Sequence, residues 1–332
     1  MTLYNTLKEL CLCPSVSGRE QKIREKISPM LSPLCDEVYT DTLGNLIGVK
    51  RGNGAGKKIM LAAHMDEIGF IVNFIEESGM IRVAPVGGIS FNASAFSRVV
   101  SENGVRGVIV PDGKVKPADY KSDVFYIDIG ANSKKQAEAK VAIGDFFVAT
   151  PVLDKLSGSR VCGRPLDDRI GCAVLLGIAE GLSDKTLTDD VYYVFSVQEE
   201  VGCRGAITAA FAIRPDVALC FDVTATGDTP SASPMACKIG GGAAVKIKDA
   251  SVICDEDTVR ALCDVATKNK IKHQKEILLF GGTDTSSMQL AGAGAAVGAL
   301  SIPTRYIHSG VELCDLADAE CCIKLAVEFI KG

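Results

Sequence analysis

The feature that most constrains this chain is an alternation of strand-like and helix-like segments that stops and later resumes. Apolar residues fall at helical spacing over Leu3–Cys13 and again over Arg19–Leu31. A hairpin-like stretch follows, Glu37–Lys50, with Gly44-Asn45 at its turn, and then a short apolar strand, Lys58–Ala63, that ends at His64. After about Leu156 the alternation returns. Helices are expected at Asp168–Leu182, Ala206–Ala212, Glu256–Lys268 and Leu316–Ile330, and strands at Val191–Val197, Val217–Phe221, just before Gly281, and Ala295–Ile302. Such an alternation buries its apolar faces in a mostly parallel sheet flanked by helices, an α/β fold. Between the two halves the texture differs. Strand-like segments recur at Gly69–Ile75, Ile81–Val86, Arg106–Val110, Phe125–Ile129 and Phe146–Val152, punctuated by Gly, Pro, Asn and Asp, and only Lys134–Lys140 reads as helix. The expectation is an α/β domain made of residues 1–69 and 156–332, with a small β-rich domain inserted at 70–155.

Composition narrows the function classes. With 332 residues, 47% hydrophobic and 23% charged, the chain can bury a full core, which excludes a disordered segment or a disulfide-stapled mini-fold. A formal net charge of −5 gives no electrostatic reason to expect a nucleic-acid partner. The longest apolar stretch, Leu290–Leu300, is mostly Ala and Gly and is too short to span a bilayer, so no membrane partner is expected. The first residues, MTLYNTLKEL, lack the pattern of a secretory leader, and a cytoplasmic location is expected. The cysteine count is 13, an odd number, with no pair at zinc-finger spacing; reduced, mostly buried thiols are the reading.

Only three histidines are present. His64 stands just past an apolar strand and His308 a few residues past another, where ligands bind in open α/β sheets. His273, among charges in KIKHQKE, reads as a solvated surface residue. Four acidic sites stand in similar settings. His64-Met65-Asp66 is an HxD triplet, weak by itself. Asp167-Asp168 precedes an apolar helix, where one Asp serves as the cap and the other needs an explanation. Glu199-Glu200 follows the strand Val191–Val197, where two adjacent carboxylates repel each other; a solvated loop is the plain alternative. Asp222 ends an apolar strand and is costly to bury unless paired or metal-bound. Taken together, His64, Asp167, Glu200, Asp222 and His308 offer two imidazoles and three carboxylates. That set suits zinc, cobalt or manganese. Five ligands exceed the needs of one catalytic zinc and fit two divalent ions about 3.5–4 Å apart that share a carboxylate. A water bridging them would ionise near neutral pH. Glu199, beside a ligand, is the natural proton shuttle, and Asp66 can orient the far nitrogen of His64.

Six blocks occur in order: AHMDEIGF, PLDDRIGCAVLL, VQEEVGCRGA, FDVTATGDTP, GGTDTS and SIPTRYIHS. They resemble the signature blocks of the glutamyl aminopeptidase / tetrahedral aminopeptidase family of cocatalytic metallopeptidases, some members of which carry an endoglucanase label. The resemblance runs from the PSVSG turn at Pro14 to the last helix. It implies that His64 binds one metal with Asp66 in support, that Asp167 rather than Asp168 bridges two metals, and that Glu199 is the general base. It further implies that Glu200, Asp222 and His308 complete the ligand set. Gly281, Gly282, Thr283 and Asp284, in the fifth block, would line the substrate site. The implied reaction is removal of N-terminal residues from short peptides with a free N-terminus, by attack of the metal-bridging water. The resemblance also implies that the insert is a β-barrel-like domain that mediates homo-oligomerisation, often into a hollow dodecamer.

Two other readings use the same residues. A glycoside hydrolase could draw a carboxylate pair from Glu199, Asp167 and Asp222. The absence of Trp and an aromatic content of 6% speak against a sugar platform, and the two histidines would go unexplained. A metal-stabilised scaffold would have no use for an intact base and an orienting Asp.

Overall fold

The computed structural model describes residues 2–54 and 56–332. The chain opens with helices α1 (Leu3–Cys11) and α2 (Gln21–Leu31) and strands β1 (Glu37–Thr40), β2 (Leu46–Lys50) and β3 (Lys58–His64). Six strands follow: β4 (Gly69–Ile75), β5 (Ile81–Val86), β6 (Ser97–Ser101), β7 (Arg106–Pro111), β8 (Phe125–Asp128) and β9 (Phe146–Ala149). Two short helices, α3 (Phe91–Ser94) and α4 (Lys134–Glu138), interrupt them. The chain continues through β10 (Val152–Lys155), β11 (Arg160–Arg164), α5 (Arg169–Leu182), β12 (Asp190–Ser196), α6 (Arg204–Ile213), β13 (Val217–Thr224) and β14 (Ala243–Lys248). It ends with α7 (Glu256–Lys268), β15 (His273–Ile277), α8 (Asp284–Gln289), β16 (Ala296–Arg305), β17 (Glu312–Asp315) and α9 (Leu316–Lys331).

Eleven of these strands form one sheet, in the order β1-β2-β12-β3-β13-β16-β17-β11-β10, with β14 paired to β16 and β15 to β14. Its centre, β12-β3-β13-β16, is parallel. The margins are largely antiparallel and contain β10, β11, β14 and β17, short strands that the alternation pattern does not flag. The central strands read as unbroken apolar runs because both faces are covered. On β3, Ile59, Leu61 and Ala63 enter the core under α1, α2, α5 and α9. Met60 and Ala62 enter the core on the opposite face, with Ala206, Ala209 and Ala210 of α6 and Met288 of α8. Helix α5 lies so close to α9 that a Cβ at Gly177 would sit 2.6 Å from the Ile323 side chain. No described helix is long and apolar enough to cross a membrane.

The other six strands close into an antiparallel barrel, β4-β5-β8-β7-β6-β9. Closure leaves the barrel no free edge. Its core is aromatic and β-branched: Phe70, Val72, Ile81, Val83, Phe125, Ile127 and Phe147. The polar-rich SRVVS of β6 hides a strand that only its neighbours β7 and β9 reveal. The apolar run Phe146–Val152 divides at Pro151, which has no N–H for a ladder. Beyond it β10 pairs with β11 of the large sheet, so the end of the expected insert lies in the α/β half.

Candidate active site

Parallel pairing brings the carboxyl ends of β12, β3, β13 and β16 to one edge of the sheet. Ser196 is level with His64, so the chain beyond β12 emerges beside that imidazole. Cys220 is level with Ala62, so Asp222, two residues on, lies level with His64. Three residues past β16, His308 turns back with a φ of +61°. Asp167 stands just ahead of α5.

At the centre lies one carboxylate. Asp167 Oδ1 is 3.1 Å from His64 Nε2, and its Oδ2 is 3.2 Å from His308 Nε2. Glu200 Oε2 is 3.4 Å from His308 Nε2, and Asp222 Oδ1 is 4.0 Å from His64 Nε2. Glu199 Oε2 is 4.0 Å from His64 Nε2, and its Oε1 accepts a hydrogen bond from the Cys203 thiol at 3.3 Å. The tertiary structure thus brings together all seven residues expected to carry the chemistry. Asp168 is settled differently. Its Oδ1 accepts the Gly171 N–H at 3.0 Å as the cap of α5, and its Oδ2 accepts the His64 N–H at 3.3 Å, so both oxygens are engaged.

Two buried carboxylates hold this arrangement. Asp66 accepts the Ser17 hydroxyl at 2.6 Å and the backbone N–H groups of Glu199 and Glu200 at 3.0 and 3.2 Å, and lies 3.4 Å from His64 Nδ1. One side chain therefore orients an imidazole and fixes the two adjacent glutamates. Glu312 accepts from the N–H groups of Leu166, Asp167 and His308, at 2.6, 3.2 and 3.0 Å. Neither Glu312 nor Ser17 was singled out in the sequence, since each acts on segments far away along the chain. The loop between β5 and β6 also enters the site: His308 Nδ1 is 2.9 Å from the Gly88 carbonyl oxygen. A Cβ at Gly88 would stand 3.0 Å from that nitrogen, a closeness that only glycine permits without movement.

Burial dominates the electrostatics. It pushes the Glu199, Glu200 and Asp222 carboxyls above the usual range, and mutual repulsion adds to the shift. Burial would also raise Asp167, but hydrogen bonds from His308 and His64 outweigh it and hold this carboxyl below its usual value. Burial opposes charging of both imidazoles, yet Asp167 and its neighbours raise them, His308 to about 11. Several anions thus compete for two imidazoles, a cluster that divalent cations would neutralise. The donor set fits them. Ligand atoms bound to one zinc ion at about 2.0–2.2 Å stand about 3.3 Å apart, close to the separations of Asp167 from both imidazoles. Glu200 Oε1 is buried with no hydrogen-bond partner, as expected of a ligand oxygen. Donor atoms of His64, Asp167 and Glu200 lie within 4.8 Å of one another.

The remaining expectations sort by position. Gly281, Gly282 and Thr283 line a cavity of about 690 Å³ that opens on the cluster. Asp284 does not line it; its carboxylate is buried beneath, accepting the Ser196 hydroxyl at 2.5 Å. Thr283 caps helix α8, whose first residue is Asp284. His273 begins β15 and is half-buried, with Nδ1 3.1 Å from the Ile271 carbonyl oxygen, rather than free on the surface.

A sequence profile of the M42 glutamyl aminopeptidase family matches residues 44–325. A protein of Acetivibrio thermocellus is 45% identical, with 99% of this chain and 98% of its own length covered. The lysyl aminopeptidase of Pyrococcus furiosus is 35% identical, with 98% of this chain and 96% of its own covered. Among solved structures, the TET1 peptidase of Pyrococcus horikoshii, which can assemble into a tetrahedron or a large octahedral shell, is 34% identical; 99% of each chain is covered, with a TM-score of 0.88. A dodecameric TET1 structure superposes with a TM-score of 0.90. The match over most of the length, with a closed barrel set beside an α/β sheet, shows that the chain belongs to the M42 glutamyl aminopeptidase family.

Proposed function

We propose that this chain is a dinuclear metal aminopeptidase that removes N-terminal residues from short peptides. The observation that carries the reading is the Asp167 carboxylate, one oxygen against each imidazole, with further carboxylates beside both histidines. His64, Asp167 and Asp222 would hold one ion, and His308, Asp167 and Glu200 the other; zinc or cobalt suits them best, and manganese is compatible. When bound, such a pair lowers the pKa of water toward neutrality and polarises the substrate carbonyl.

The chain's own groups do the rest. Glu199 is held over the site by Asp66 and hydrogen-bonded by the Cys203 thiol, leaving Oε2 directed toward the cluster. There it takes the proton of the attacking water and returns it to the leaving amine nitrogen. Asp66 and the Gly88 carbonyl fix the two imidazoles through their other nitrogens. The free α-amine of the substrate is attracted by the surrounding carboxylates, which selects against blocked N-termini.

Assembly belongs to the same proposal. Exposed Phe74, Phe96 and Ile143 on the β-rich insert offer apolar surface for a homo-oligomer, and the assembling relatives suggest a dodecamer. All thirteen cysteines are unpaired, which supports a cytoplasmic setting.

A peptide panel with free or acetylated N-termini tests the reading, run on chelator-stripped protein and after zinc or cobalt is restored. Metal-dependent release of the first residue from free-amine peptides alone is expected. No release under any metal overturns it; activity on oligosaccharides that survives chelation would point to a carboxylate-pair glycoside hydrolase instead.

A further inference from the structure

The walls of the cavity above the cluster carry little charge outside the cluster itself. They are formed by the end of β13 and the chain after it, the turn at Ser251, residues 278–286, and the end of β16 with the chain after it, and Gly88 and Cys203 also line the cavity. Outside the metal-ligand cluster and Glu199, Arg305 is the one charged side chain lining it among the described residues. That guanidinium is already engaged. Its Nε and Nη2 donate to Oδ1 and Oδ2 of Asp228 at 3.0 and 2.7 Å, a two-point fork. Asp228 also accepts the Ile239 N–H at 3.2 Å, which ties the fork to the loop between β13 and β14. Arg305 holds the Asp228 carboxyl down to about 2, so the pair stays ionised at neutral pH. The two side chains are only 19% and 22% exposed, so each spends its field mainly on the other rather than on water or an incoming group. The remaining wall is neutral, with Leu278, Phe280 and Ile307 as its larger apolar side chains.

We propose that the Arg305–Asp228 pair sets the specificity of this pocket: by neutralising each other, these residues make the enzyme select neutral, mainly apolar first residues over acidic and basic ones. The inference rests on the aminopeptidase reading and adds the substrate class. An acidic first residue meets no free cation here and faces the cluster's carboxylates. A basic one finds no free carboxylate outside the metal ligands. Either charge would give up water without a partner, which is costly, whereas an apolar side chain gains by burial against Leu278 and Ile307.

The test uses metal-loaded protein and aminoacyl p-nitroanilides that differ only in the first residue: Leu, Met, Glu and Lys. The wild type is expected to turn over Leu and Met with kcat/KM at least about tenfold above Glu and Lys. Asp228→Asn leaves the guanidinium unpaired and should raise the Glu:Leu ratio about tenfold while lowering Lys:Leu. Arg305→Gln should do the reverse. Opposite movements of two ratios cannot come from a general loss of folding or activity. A common factor on all substrates in both variants would show a mere structural brace and overturn the proposal, as would a wild-type preference for Glu or Lys. Calorimetric binding of free leucine, glutamate and lysine reads the same ratios without turnover. Absence of hydrolysis therefore overturns the aminopeptidase reading, while the binding ratios still decide the pocket.

Discussion

The barrel and the α/β half bury different things. In the barrel, among the described residues from 69 to 149, Ser101 is the one buried polar side chain; the other buried side chains are apolar. In the α/β half, His64, Asp66, Asp167, Asp168, Asp222, Lys246, Glu276, Asp284 and Glu312 are all buried. An apolar interior returns free energy for every Å² removed from water. A buried charge does so only when it is paired and hydrogen-bonded. Lys246, for example, is fully buried and contacts Glu276 at 2.7 Å and Asp249 at 3.2 Å. The barrel interior therefore gains from apolar burial, while the other region gives up stability to hold charges at the sheet edge where chemistry can use them.

The largest expected effect separates chemistry from binding within the α/β half. Glu199→Gln should retain two metals per chain by elemental analysis and lose about 10²–10⁴-fold in kcat. Loss of metal would make Glu199 a ligand and the assignment wrong. A change confined to the barrel should do the opposite. Phe125 is fully buried on β8, with its ring centroid 4.9 Å from that of Phe91, tilted, and 5.1 Å from that of Tyr120, edge-on. Phe125→Ala should cost about 3–5 kcal/mol in denaturant unfolding and leave the kcat of the folded fraction unchanged. A fall in kcat would mean that the two regions are coupled through the Gly88 loop.

A smaller effect falls on the support of the site. Asp66→Asn turns one acceptor into a donor facing the N–H groups of Glu199 or Glu200, or His64. Metal affinity should weaken about 10–100-fold in a competitive chelator titration. Unchanged affinity would remove Asp66 from its positioning role. The smallest effect concerns pH. Burial raises the Asp318 carboxyl, which caps the Gly240 and Gly242 N–H groups, to about 6. The folded protein then holds this proton more tightly than the unfolded chain does. Its contribution is full below about pH 4 and is lost as pH rises toward 6. Asp318→Asn should flatten stability across that window relative to wild type. Native-state hydrogen exchange in the barrel, which buries no carboxylate, should show no such slope.

Much of this molecule was legible in the order of its residues. Apolar runs bounded by turn residues located the central strands, because strands covered on both faces cannot alternate. Histidines and acids placed just beyond those runs marked the site, because strand ends in a parallel sheet share one edge. Block resemblance then assigned roles to single residues. The short marginal strands β10, β11, β14 and β17 were not legible, since they are fixed by partners distant in sequence and carry little apolar pattern of their own.

What the sequence by itself determined, then, was periodicity, strand order along the chain and the residue types at the strand ends. The tertiary structure decided which oxygen meets which nitrogen. Capping logic allowed either Asp167 or Asp168 to be the helix cap; contact with His64 and Gly171 occupies both oxygens of Asp168 and leaves Asp167 between the imidazoles. Ser17, Gly88 and Glu312 became part of the site only when segments up to 220 residues apart met. The physical reason is that local pattern records which face a residue buries, whereas hydrogen-bond partners are set by a geometry that exists only once the distant strands have paired.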